Sequence, residues 1–228
     1  MIWKRLRSVV RFAGAFGIYI FAVMAVVRSW HSKQAWKSLD FYVIATLAFS
    51  AAMAVVQVFV SERIATSSKV KDEFFGLSFD RTLGKWVSAI SICELLAFAD
   101  YAHRRFLPVL IKPELQIMGI VAYSLALLWM VRVDLFLIKH FEGAFQEHRL
   151  LCDGPFRILR HPRYTALLIS RLAFALTIAS VIAWILLPLW VLAVISRINK
   201  EEAHLRRAFG STYDDFTRTR ARLLPGVY

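Results

Sequence analysis

Four apolar runs without charge divide this chain, at 12–27, 41–61, 115–131 and 172–196. A helix needs about 20 apolar residues to cross a bilayer, within a range of about 17–25. The second and fourth runs reach that length directly, and the first and third reach it with flanking residues. A weaker fifth candidate, 86–101, is interrupted by Glu94 and Asp100. The pattern predicts helices over 12–27, 41–60, 85–104 and 115–138, with Pro108 and Pro113 punctuating a turn before the last. Residues 62–85 form a polar connection of mixed charge.

Between Tyr164 and Ser196 only Arg171 is charged. That stretch is too long for one crossing and fits two short helices joined near 180–188. A hairpin of this kind leaves and returns on one side, so the polar segments flanking it share a membrane face. Its second helix is predicted to continue out of the bilayer to Phe209, with Gly210 as C-cap, before a short helix at 213–220. The expected fold class is therefore all-α, a polytopic transmembrane helix bundle of five to six spans that ends in a C-terminal helical hairpin. It divides into an N-terminal region, 1–140, with about four spans, and a C-terminal region, 141–228.

Composition agrees, since 58% of the 228 residues are hydrophobic. The formal charge of +13 fits a nucleic-acid binder or an anionic membrane surface equally well. Here Arg and Lys flank the apolar runs, so membrane lipids are the expected partner and nucleic acid is not. Lys4, Arg5, Arg7 and Arg11 place the amino terminus in the cytoplasm by the positive-inside rule, with the first run retained as a helix. The block Arg157, Arg160, Arg163, Arg197, Lys200, Arg206 and Arg207 places the carboxy terminus there too, which requires an even number of crossings. Six histidines show no HExxH or CxxC-type spacing, so no metal is expected.

Candidate chemistry gathers on both sides of the hairpin. Arg160-His161-Pro162 puts proline at a first helical position and His161 at the cap, beside backbone N–H groups that attract anions. Arg197 and Glu201 are spaced i,i+4 and share a helix face where the last helix leaves the bilayer. Alone, the first reads as a lipid-binding basic cap and the second as a surface ion pair. Brought to one membrane face, they read as one convergent site. Phe156, Tyr164, Trp190 and Tyr213 offer aromatic faces to a cation. Arg132, Asp134 and Arg171 are ionisable groups near or inside spans and are functional candidates on that ground, although Arg171 sits shallow enough to snorkel. No dinucleotide-binding glycine motif, P-loop or nucleophile elbow occurs.

The segment His148-Arg-Leu-Leu-Cys-Asp-Gly-Pro-Phe-Arg-Ile-Leu-Arg-His-Pro-Arg-Tyr164 resembles the first motif of the integral-membrane isoprenylcysteine carboxyl methyltransferases, roughly H-x-L-V-x-x-G-x-Y-x-x-x-R-H-P-x-Y. Their second motif, R-x-x-x-E-E-x-x-L-x-x-x-F-G-x-x-Y, is similar to Arg197, Glu201-Glu202, Leu205, Phe209-Gly210 and Tyr213. The likeness covers about the last 80 residues, with Phe156 standing where the pattern has Tyr. It implies S-adenosylmethionine as methyl donor, held in a cytoplasmic cofactor-binding segment. By the family pattern the cofactor contacts are His148, Arg149, Leu150, Leu151, Phe156, His161, Pro162, Arg163, Tyr164 and Glu201. Arg197 would hold the substrate's carboxylate, and Arg197 with Glu201 would carry catalysis. The implied substrate is lipophilic, enters from the membrane, and is most simply a prenylcysteine α-carboxylate. Relatives sharing these motifs also include phospholipid amine N-methyltransferases and thiol S-methyltransferases. An NADPH-dependent sterol-type reductase and a non-enzymatic lipid-binding protein are the readings of other classes.

Overall fold

The computed structural model of the protein describes residues 42, 44–52, 55, 81–103, 112–147 and 149–226. The first expected span, residues 62–80 of the expected polar connection and His148 lie outside them, while 81–85 of that connection are helical. The described residues are helical without a named strand, and one isolated parallel bridge joins Leu159 to Ala221. We name the helices α1 (Arg81–His103), α2 (Pro113–Gln146), α3 (Pro162–Ile178), α4 (Val181–Phe209) and α5 (Ser211–Arg218), with a 3-10 turn at Gly154–Arg157. Among them α2 and α4 are long and apolar enough to cross a membrane.

Helix α2 begins at Pro113, whose missing N–H costs nothing in a first turn, and Glu114 beside it suits the positive end of the helix dipole. The helix runs two turns beyond the predicted end at residue 138. The hairpin turn is tighter than expected. Helix α3 stops at Ile178, Ala179 takes a left-handed conformation (φ +50°), and Ser180 caps α4 by accepting from Ile182 N at 3.1 Å. Pro188, one expected limit of the joint, lies inside α4. A stronger stop signal acts earlier: Asp100 of α1 accepts from Ser180 Oγ at 2.5 Å and from Val181 N at 3.1 Å. This carboxylate satisfies α4's first turn from 80 residues away.

Helix α3 packs chiefly on α2, and α4 chiefly on α1. Gly119 lets α2 and α3 touch, because a Cβ there would meet Thr177 N at 2.7 Å and Ala173 O at 2.9 Å. Gln116 Nε2 donates to Thr177 O at 3.0 Å in the same contact. Phe98, Tyr123, Met130, Phe174 and Ile178 fill the main core.

The surface inverts the soluble pattern. Ile92, Met118, Leu125, Leu128, Ile185 and Leu192 are each more than half exposed, while Glu94, Asp100, Asp134 and Glu202 are buried. Large aliphatic side chains facing outward on long helices suit a lipid solvent. Arg171 does not snorkel as expected: its Nη1 lies 2.9 and 3.1 Å from the two oxygens of buried Glu94. Trp190 Nε1 donates to Glu94 Oε1 at 2.8 Å, and the Arg171 guanidinium stacks 4.5 Å from the Trp190 ring centre. A charged partner within the bundle outcompetes the longer reach to water.

Candidate functional site

The loop between α2 and α3 is shaped by Gly154. Its φ of +58° favours glycine, and the Phe136 ring lies 2.5 Å from where a Cβ would stand. Phe156 packs beside the same ring at 6.1 Å between centres. The tail after α5 then runs along this loop like a short strand. Arg160 N donates to Ala221 O at 2.8 Å, His161 N to Arg222 O at 3.2 Å, and Ala221 N to Ile158 O at 3.2 Å. Two side chains tighten the strap: Arg220 Nε donates to Phe156 O at 3.0 Å and Thr165 Oγ1 to Leu223 O at 2.8 Å.

Glu202 is the electrostatic centre of the site. Arg160 Nη1 and His161 Nε2 reach its Oε1 at 2.9 and 3.1 Å, and Arg222 Nη2 reaches its Oε2 at 3.0 Å. Arg222 also contacts Asn199 Oδ1. The apolar run of α4 ends at Ser196, so Glu202 lies past it. Burial pushes its carboxyl up, but the His161 bond and charge, with Arg222 and Arg160, outweigh that and hold it below the usual range.

One helical position earlier, Glu201 faces another way. Tyr164 OH donates to Glu201 Oε2 at 3.0 Å and accepts from Arg197 Nε at 3.3 Å. A phenol on α3 thus joins the i,i+4 pair of α4. Tyr213 is fully buried nearby, its hydroxyl without a hydrogen-bond partner among the described residues, and burial pushes that phenol up.

The structure therefore brings His161, Tyr164, Arg197 and Glu201 to one mouth of the hairpin. His161 is the N-cap of α3 with Pro162 next, as the sequence predicts, but its ring is spent on Glu202. Arg163 turns to α2, where its Nε lies 3.0 Å from Asp134 Oδ1. Exposed Arg149 pairs with Glu147 at 2.9 Å, and Leu150 and Leu151 are half-buried beside it. Sequence reasoning placed Arg160 in a basic cap and Glu202 in the second motif, gave Arg222 no role, and did not foresee their convergence on one carboxylate. The doubled Glu201-Glu202 was the available signal, since a 100° step per residue sends two neighbours to different partners.

Fold and site together define a helical bundle with long, apolar, outward-facing helices and one cluster of ionisable side chains at a hairpin mouth. Residues 115–212, less than half of the chain, match the family model described as phospholipid methyltransferase. Over this stretch the chain is similar to a family whose superfamily joins phospholipid methyltransferases to isoprenylcysteine carboxyl methyltransferases. No curated protein and no solved structure matched the chain.

Proposed function

We propose that the protein methylates a lipophilic acceptor at the cytoplasmic membrane face, using S-adenosylmethionine, and that the acceptor is a prenylcysteine-type carboxylate. The observation that carries this reading is the Tyr164 hydroxyl, which reaches across the hairpin from α3 to both Arg197 and Glu201 of α4. A carboxylate and a guanidinium held one helical turn apart suit a cationic donor and an anionic acceptor side by side.

The residues fit the donor. Glu201 offers an acceptor for its ammonium or ribose hydroxyls, Phe156 and Tyr164 offer ring faces to a sulfonium, and the start of α3 attracts an anion. His148 to Leu151, Pro162 and Arg163 complete the contact set. When bound, S-adenosylmethionine supplies an electrophilic methyl group. Arg197, its Nε anchored by Tyr164, orients the acceptor carboxylate with its remaining N–H donors. A carboxylate is nucleophilic at neutral pH without a base, so the chain contributes in-line positioning. The lipid tail reaches the site sideways between helices.

The family match favours a second reading, methylation of a phospholipid amine. There Glu201 would take the amine proton.

Calorimetry of purified protein with S-adenosylmethionine and with NADPH tests the class. Binding of the first alone is expected; binding of NADPH alone, or of neither, sinks the reading. Labelled methyl transfer to a prenylcysteine analogue, compared with phosphatidylethanolamine, decides the acceptor. Arg197→Ala should lower kcat/KM for a carboxylate acceptor about tenfold or more, from one lost charge-assisted contact. Donor affinity should hardly move, and an equal loss of both would refute this division of roles.

A further inference from the structure

Asp134 belongs to α2 and to neither motif. Its neighbours on that helix fix its level: Trp129 Nε1 donates to Pro162 O at 3.0 Å, and the Phe136 ring packs against Gly154. The Asp134 carboxylate thus stands beside the 154–163 loop and the start of α3. The residue is 1% exposed, and Arg163 Nε approaches Oδ1 to 3.0 Å. Among the described residues Arg163 is the one basic side chain that approaches it, and Oδ2 has no hydrogen-bond partner.

The other two buried acid–base pairs behave differently. Glu94 accepts from Arg171 and Trp190, and Glu202 accepts from Arg160, His161 and Arg222. Both are closed sets in which donors meet the carboxylate. A buried carboxylate with an unsatisfied oxygen is costly, and an ion pair built for stability would satisfy both. Arg163 is also the less enclosed partner, its side chain 35% exposed, and it occupies the second position of α3 where helix N–H groups reinforce its attraction for an anion. The resemblance names Arg163 as a cofactor contact but gives Asp134 no role, so the acidic half of the pair is what the structure adds.

We propose that the Asp134–Arg163 pair is the seat of a small zwitterion at the membrane face. Asp134 accepts from the ligand's ammonium, and Arg163 swings outward to donate to its anionic group. Two molecules of the proposed reaction carry this chemistry, the methionine end of S-adenosylmethionine and a phosphoethanolamine headgroup. The inference rests on the methyltransferase reading and adds α2 to its site.

The test compares wild type with Asp134→Asn and Arg163→Gln in full-length protein. Calorimetry measures S-adenosylhomocysteine, which keeps the amino-acid end, and 5′-methylthioadenosine, which lacks it. Both variants should bind S-adenosylhomocysteine about tenfold more weakly or worse, as for a lost charge-assisted contact, and methylthioadenosine as wild type does. That pattern places the donor in the seat. Unchanged S-adenosylhomocysteine binding with KM for phosphatidylethanolamine raised about tenfold places the headgroup there instead. Wild-type values throughout, or equal losses for both nucleosides, overturn the proposal. Should Asp134→Asn fail to fold, Arg163→Gln gives the same readout from a side chain a third exposed. Wild-type protein that binds neither nucleoside would instead refute the methyltransferase reading, and the seat with it.

Discussion

Glu94 and Glu202 are both buried carboxylates facing arginine, yet they hold different things. Glu94 joins α1, α3 and α4 along the apolar length of the bundle, against one guanidinium and one indole. Glu202 lies past the end of the apolar run and collects three basic side chains from the loop, the start of α3 and the tail. The deep pair conserves charge balance where water is scarce, so removing one partner strands the other. The surface cluster carries an excess of cations around one acid, which leaves that mouth of the hairpin receptive to anionic ligands. Burial alone therefore does not distinguish the two; surplus charge at the end of the apolar run does.

The comparison breaks most sharply at Glu94. Glu94→Ala should cost about 3–5 kcal/mol, the usual range for leaving a buried charge without its partner. Thermal unfolding in detergent checks this, and Glu94→Leu combined with Arg171→Leu should recover most of the loss. A single variant as stable as wild type would show that Arg171 reaches water. Glu202→Gln should cost less, about 2 kcal/mol, as for hydrogen bonds to charged groups. Because its folded carboxyl is held below its unfolded range, the stabilisation from Glu202 is present above that range and lost as pH falls through the folded value. Acid unfolding followed by tryptophan fluorescence should thus lose part of its slope in the variant, on the acid side of the ordinary carboxylate value of about 4.3. The smallest effect has the opposite sign. Ala179→Gly relieves a left-handed alanine at the hairpin turn and should stabilise by about 1 kcal/mol, read as a raised Tm.

Much of the frame was legible because apolar length and capping residues act locally. The continuation of α4 to Phe209 and its Gly210 cap, a helix near 85–104, and the start of α3 at Pro162 all emerged as the pattern implies. The hairpin turn fell at the early edge of its range because Asp100, remote in sequence, supplies the cap. Of the site, the juxtaposition of His161 with α4 followed from hairpin topology alone. Its wiring did not. Glu202 and His161 are 41 residues apart, and Arg222 comes from a tail beyond both motifs. Glu94 and Arg171 were each conspicuous as charges among apolar residues, but a 77-residue separation hides a pairing that only three-dimensional packing creates.

Helix α4 carries a further consequence. Its 29 residues span about 43 Å at 1.5 Å per residue, clamped by Asp100 at Val181 and, about 32 Å further on, by the Glu202 cluster two turns before its end. A rod fixed at both points keeps a constant distance between the hairpin turn and the polar mouth. The hydrocarbon thickness of the surrounding lipid then sets the height of Arg197 and Glu201 above the headgroups, since a rigid segment answers mismatch by tilting. Turnover should accordingly pass through a maximum as acyl chains are lengthened in reconstituted vesicles, with the membrane acting as a ruler for the reaction.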